Sequence, residues 1–166
     1  HMTLQMNGAY YDEDDKNIFY IVSFLLGQAL SVDRKTGQSK VVLKGLVNPH
    51  GFIQTPDGRA VTDTAHGRVV WLNKRNQKIR VLYFSGAAKD ESMHRIEWLQ
   101  HTSYLGDGVY ATIDSVRYGV WLFNLNRKIK RFIPIDPDTS YQEIIRDLRT
   151  NLKRLDRTGG RTTDPE

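Results

Sequence analysis

The chain reads as an all-β protein, a partial β-propeller of about three four-stranded blades followed by one C-terminal amphipathic α-helix. Three observations predict this. A block of strand-like runs and turns recurs along the first 135 residues. The turns carry the same chemistry each time, with Asp-Gly or Asn-rich dipeptides supplying the positive φ of tight hairpins. After Pro134 and Pro137 the periodicity changes from strand-like to helical.

The repeated segments are DDKNIFYIVSFLLGQALSVDRKTGQSKVVL, TPDGRAVTDTAHGRVVWLNKRNQKIRVLY and LGDGVYATIDSVRYGVWLFNLNRKIKRFI. Each opens at an Asp-bearing turn: Asp15-Lys16-Asn17, Asp57-Gly58, then Asp107-Gly108. A strand-like run leads to Gly27, Gly67 or Gly119, and a second run ends at Asp33, Asn73 or Asn124. A polar turn then leads to a last strand at Lys40 to Leu43, Lys78 to Tyr83, or Lys128 to Ile133. The runs are rich in Val, Ile, Tyr, Phe and Trp, which suit a pleated, half-buried surface. The interval is 40 residues from Gly27 to Gly67 and 52 from Gly67 to Gly119, the excess falling in a loop around Ser85 to Ser92. A β-sandwich also has many short strands, but it gives no reason for the same turns to return at a long period.

The innermost strands are expected at Gly8 to Tyr11, Gly51 to Thr55 and Arg95 to Gln100. Blades are thus placed at 7–47, 48–92 and 93–135, within a unit covering 3–136. A helix is expected over 139–157, with Ser140 and Glu143 as a capping box and Tyr141, Ile144, Ile145, Leu148, Leu152 and Leu155 as one apolar stripe. Residues 158–166 are expected to form a flexible tail.

The middle repeat, NPHGFIQTPDGRAVTDTAHGRVVWLN, resembles the repeat of NHL-type propellers and of the related virginiamycin B lyase-like and SMP-30-like propellers. The matching positions are Pro49-His50-Gly51, Pro56-Asp57-Gly58, Asp63 and Gly67-Arg68-Val69. The third repeat keeps Asp107-Gly108, Asp114 and Val120, but has Met93-His94-Arg95 where Pro-His-Gly would stand. The likeness covers residues 7–135 and concerns repeat type. Such blades host lyases, hydrolases and plain binding scaffolds, so the resemblance implies a fold and leaves the activity open. It also implies about six or seven blades in a full ring. Three alone leave open sheet edges, which points to a homo-oligomer formed through those edges or through the helix.

Composition narrows the classes. At 39% hydrophobic and 26% charged residues the 166-residue chain is globular rather than disordered. It has no cysteine, which removes disulfides, thiolate metal sites and cysteine nucleophiles. No apolar run reaches the roughly 20 residues of a bilayer span, and no signal peptide is read, so a soluble chain of unknown location is expected. HExxH, GxSxG, P-loop and GxGxxG motifs are absent. The acidic run Asp12 to Asp15 lacks the Gly and Glu of an EF-hand loop and reads as a solvated turn.

The candidate chemistry is sparse. His50 and His94 stand 44 residues apart, each before an expected inner strand. Imidazoles converging on a central channel could hold a divalent metal ion or act as acid and base, and the resembling lyases and hydrolases suggest the same. Turn histidines bonded to backbone are the structural alternative. His66 falls in an outer turn and His101 in a loop. Asp63 and Asp114 occupy matching places, where a carboxylate typically ties a turn by accepting from backbone amides. Tyr104 and Tyr118 flank turns and could stack a sugar or peptide. Arg127, Lys128, Lys130 and Arg131 form a basic cluster within a net charge of +5, a candidate surface for an anionic polymer, although nucleic acid is not the favoured partner. The reading favoured by the repeats and the missing motifs is a non-catalytic, self-associating binding or assembly module that completes a ring, with a protein or glycan partner; the alternative is a metal-assisted lyase or hydrolase.

Overall fold

The computed structural model describes residues 5–84, 96–135 and residue 150. The elements among them are twelve strands: β1 (Met6–Tyr11), β2 (Ile18–Ser23), β3 (Gln28–Asp33), β4 (Ser39–Lys44), β5 (His50–Thr55), β6 (Gly58–Asp63), β7 (Arg68–Asn73), β8 (Lys78–Tyr83), β9 (Leu99–Gly106), β10 (Val109–Asp114), β11 (Gly119–Asn124) and β12 (Ile129–Pro134). They form three antiparallel meanders, β1-β2-β3-β4, β5-β6-β7-β8 and β9-β10-β11-β12. The three sheets are the three repeats. The loop at Ser85 to Ser92 and His94 lie outside the described residues, as does the helix expected over 139–157 apart from Thr150.

Local chemistry explains why the repeats fold alike. At the end of each third strand, one side-chain oxygen accepts from two amides of the following turn. Asp33 Oδ1 takes Lys35 N at 2.8 Å and Thr36 N at 3.0 Å. Asn73 Oδ1 takes Arg75 N and Gln77 N at 2.9 and 3.0 Å, and Asn124 Oδ1 takes Asn126 N and Arg127 N at 3.0 Å each. These are Asx turns, which is why Asp or Asn ends each run. A second tie repeats where the chain leaves each sheet. Leu46, Phe84 and Ile135 donate their amides to the carbonyls of Gly27, Gly67 and Tyr118.

That tie corrects one equivalence. The residue of the third repeat matching Gly27 and Gly67 is Tyr118, not Gly119. All three hold positive φ: 60° at both glycines and 49° at Tyr118. Gly119 is instead the first residue of β11, and a Cβ there would press into the ring of Phe132. Its glycine is required by packing rather than by the turn.

The inner strands β1, β5 and β9 lie side by side, β5 touching both of the others. Approach is close: a Cβ on Gly8 would lie 3.1 Å from the Cα of Gly51, and one on Gly51 would collide with the ring of His101. Glycine at these positions lets the inner ends of the sheets converge. The third inner strand differs from expectation. It runs over Leu99–Gly106, directly into the Asp107-Gly108 turn, rather than over Arg95 to Gln100. A hairpin needs both strands to reach its turn, so HTSYLG is strand despite its weak alternation. His101 is therefore in a strand and not in a loop.

Packing between sheets makes the core. The row Phe52, Val61, Val70, Val81 crosses all four strands of the second sheet and packs on Tyr10, Tyr20, Val22 and Ala29 of the first. Its other face, with Ala60, Val69, Trp71 and Leu82, packs on Tyr110, Trp121 and Phe123 of the third. Aromatic rings fill the wedge. Tyr10 and Tyr20 stack at 5.2 Å with Phe52 edge-on, while Tyr110 stacks on Phe123 at 5.4 Å with Trp71 edge-on.

A buried ion pair spans the first two sheets. Arg59 Nη2 bonds Asp12 Oδ2, and the guanidinium lies 4.3 Å from the centre of the Tyr20 ring. Burial would by itself raise the Asp12 carboxyl, but the amide of Asp14 and the Arg59 guanidinium outweigh it, so its pKa lies below the usual value. Asp12 is thus no solvated turn residue. A depressed carboxylate pKa stabilises the fold above the unfolded-state pKa, and that contribution fades as pH falls through the folded value. Asp12→Asn, which leaves the guanidinium buried without its counter-charge, is expected to cost about 3 kcal/mol at neutral pH. In urea denaturation the gap from wild type should close as the pH falls below about 4.

Candidate functional site

The turns define two ends of the stack. At the linker end lie the β2–β3, β6–β7 and β10–β11 turns and the segments that join the sheets. At the hairpin end lie the turns between each first and second strand and each third and fourth strand.

His50 starts β5 at the linker end. Its Nδ1 lies 3.0 Å from the carbonyl oxygen of Asn48 and 2.8 Å from Thr64 Oγ1. A carbonyl only accepts, so Nδ1 carries a proton. The ring sits between Phe24 and Trp98, with centroids at 5.3 and 5.8 Å. His94, the expected counterpart of His50, lies outside the described residues. Asp63 and Asp114 are counterparts, 51 residues apart (63 to 114), both ending a second strand. On the inner strands Thr102 lies opposite Thr112 as Phe52 lies opposite Val61, so His101 takes the place of Gly51. Burial lowers the His101 pKa, which favours the neutral ring. His66 Nδ1 pairs with Asp63 Oδ2 at 2.8 Å. Among the described residues no three His, Asp or Glu side chains gather as a metal site.

Asp63 and Asp114 are fully buried ties. Asp63 Oδ1 accepts Val47 N of the preceding linker at 2.8 Å, and its Oδ2 accepts Arg68 Nε at 2.7 Å. Asp114 Oδ1 accepts Arg117 N at 3.1 Å, while its Oδ2 takes Arg117 Nη1 at 2.7 Å and Trp121 Nε1 at 2.8 Å. Through these bonds both carboxylates hold turns and linkers in place.

The basic cluster is divided by the strand. Lys130 pairs across with Phe123 and Arg131 with Leu122, so the two project from opposite faces of the third sheet. Lys130 Nζ lies 5.2 Å from the Trp121 ring centre and donates to Tyr83 O at 3.3 Å. Lys128 holds positive φ at 55° in the β11–β12 turn, and Arg127 and Lys128 are exposed there. Tyr118 is exposed at the linker end, far along the strand from Tyr104.

Tyr104 lines concave surface. At the hairpin end it separates two clefts that share it and Pro56. The smaller, about 330 Å³, is bordered by Glu13, Gln54, Arg59 and Lys74. The larger, about 660 Å³, runs between the second and third sheets. Asp57 stands on one wall and Asp107 on the other, each from the turn after an inner strand; Arg80, Ile79, Leu125 and Asn126 close the outer side. Trp71 and Tyr110 underlie it, and burial raises the Tyr110 phenol above its usual pKa. The sequence signal for Asp57 and Asp107 is their shared repeat position. Arg80 carries no such signal, because only the pairing Trp71↔Arg80 sets its face.

No protein-family model matches the chain, and neither does any curated protein. Solved structures do. Hydrazine synthase of Kuenenia stuttgartiensis is similar at TM-score 0.58 and 16% identity, over 80% of this chain and 36% of that one. An auxiliary nutrient binding protein from Bacteroides thetaiotaomicron VPI-5482 is similar at TM-score 0.59 and 10% identity, over 77% and 30%. A streptogramin B lyase structure gives 0.47 and 9%, over 81% and 56%. The chain spans about a third of the length of the first two. The first two neighbours are β-propeller proteins, and the three four-stranded sheets are blades of that fold. At such identities the likeness is one of fold alone. Among the described residues no helix is long and apolar enough to cross a membrane.

Tyr118 offers a direct check on the turn equivalence. A non-glycine residue at φ 49° is strained, and its exposed ring makes little compensating contact. Tyr118→Gly is expected to keep or raise stability, by up to about 1 kcal/mol, in chemical denaturation. Gly67→Tyr at the counterpart should lower it.

Proposed function

We propose that this chain is a non-catalytic binding or assembly module of propeller blades that self-associates, with a second copy of the chain as its partner. The observation that carries this is the outward face of the first blade. There Ala9, Ile21, Leu30 and Val41 form an apolar row across all four strands. It is the counterpart of Phe52, Val61, Val70 and Val81, the row by which the second blade packs on the first. Beside it run Tyr11, Phe19 and Val32. Tyr11 is 59% exposed and Val41 52%. A face with the pattern of a blade interface and this much open apolar surface fits another blade.

A closed ring would need the outward face of the third blade to meet this row in a second copy. Ala111, Val120, Leu122 and Ile133 have the right places there, matching Ala60, Val69, Trp71 and Leu82. Val120, Leu122 and Ile133 are buried there, as Ile21 and Leu30 are on the first blade, and the half-exposed apolar residues of the two faces are Tyr11 and Val41 on the first and Ile113 on the third. The larger exposed apolar surface, Tyr11 with Val41, is on the first blade, which favours pairing of first blades about a two-fold axis, an isologous contact of one patch with itself.

Light scattering on the purified chain at tens of micromolar should give twice the chain mass. Val41→Asp should give a monomer with unchanged strand content, because Val41 is already half exposed. Ile113→Asp on the third blade should leave the pairing intact. A monomeric wild type rejects the proposal, and loss of pairing only in Ile113→Asp would transfer the interface to the ring-closing face.

A further inference from the structure

We propose that the larger hairpin-end cleft, between the second and third blades, binds a neutral pyranose sugar. This goes beyond the assembly reading and does not depend on it, since the cleft and the outward face of the first blade are separate surfaces.

The cleft has the size of a small-molecule site, about 660 Å³. Its walls carry both signs of charge. Asp57 and Asp107 supply acceptors from opposite sides, and the Arg80 guanidinium and the Asn126 amide supply donors. An anion would face two carboxylates. A cation would face Arg80. A sugar ring uses every group: its hydroxyls donate to the carboxylates and accept from the guanidinium and amide, and such bonds to charged groups are the stronger kind. The Tyr104 ring, with exposed Ile79 and with Leu125, offers an apolar surface for the C–H face of a pyranose. An extended peptide suits the place less well, because turns and side chains line it rather than an unpaired strand edge.

The walls are set before any ligand arrives. Asn124 Nδ2 donates to Asp107 O at 3.2 Å, and Gly108 N donates to Tyr104 Oη at 3.4 Å. Arg80 Nη1 donates to Leu125 O at 3.5 Å. Gly108 holds φ at 75°, a conformation that favours glycine, and a Cβ there would lie 2.6 Å from Asn126 Nδ2. Fixed groups reduce the ordering cost of binding.

An array of neutral glycans, followed by titration of the best-bound sugar with saturation-transfer NMR, tests this. Binding should change little with salt. Tyr104→Ala and Asp107→Asn should each weaken it about tenfold or more, while Tyr118→Ala on the opposite end should not alter it. Asp107→Asn keeps the turn and so guards against a folding defect in Tyr104→Ala. Absence of binding to any neutral glycan, equal affinity in the variants, or binding only to an arginine-rich peptide with steep salt dependence would each overturn the proposal. The same samples in light scattering report separately on assembly.

Discussion

The second sheet in this chain buries both of its apolar faces against neighbouring sheets, and most of the structure follows from that constraint. A single four-stranded meander has two faces and no core of its own. The second blade shows the solution: one face turns Phe52, Val61 and Val70 to the first blade, and the other turns Val69 and Trp71 to the third. Large rings do much of the filling because the gap between fanned sheets is a wedge. The first blade has an inward neighbour on one side only, and that asymmetry leaves Tyr11 and Val41 uncovered.

Polar groups then set how the blades sit. The ties are not interchangeable. The first and second blades share the Asp12–Arg59 pair over Tyr20. Between the second and third, Thr62 and Thr102 exchange a hydroxyl contact at 2.7 Å, and Tyr110 stands where Arg59 stands one blade earlier. Glu97 and Arg117 add an ion pair at 2.7 Å from the third blade's entry segment. The backbone pattern repeats, whereas the side-chain pattern differs at each junction. The larger cleft belongs to the second junction, where Tyr110 and Trp71 underlie it.

Much of the fold was legible in the sequence because turns need particular residues. Asp33, Asn73 and Asn124 had to be Asp or Asn to accept two amides each, and that requirement set the repeat boundaries. The third repeat was harder. Its left-handed turn residue is a tyrosine, so counting glycines gave a period one residue too long. Its inner strand lacks clear alternation, which shifted the expected strand upstream, to Arg95 to Gln100 instead of Leu99–Gly106. The site was legible only in part. Tyr104 could be picked out as an aromatic near a turn, but Arg80 is an ordinary strand arginine until the register fixes its face. The basic run Arg127 to Arg131 looked like one patch because sequence proximity hides the alternation of a strand.

The glycines of the innermost strands bear on a larger geometric property. The angular step between blades depends on how much closer their inner edges approach than their outer ones. Gly8 and Gly51 allow near contact of backbones, which steepens that step, whereas His101 places a ring at the same level on the third blade. Bulk added at either glycine would push the inner edges apart, flatten the step and raise the number of blades needed to come full circle. Curvature, and with it the circumference this repeat can support, is therefore tuned by whether a few positions near the axis carry a side chain.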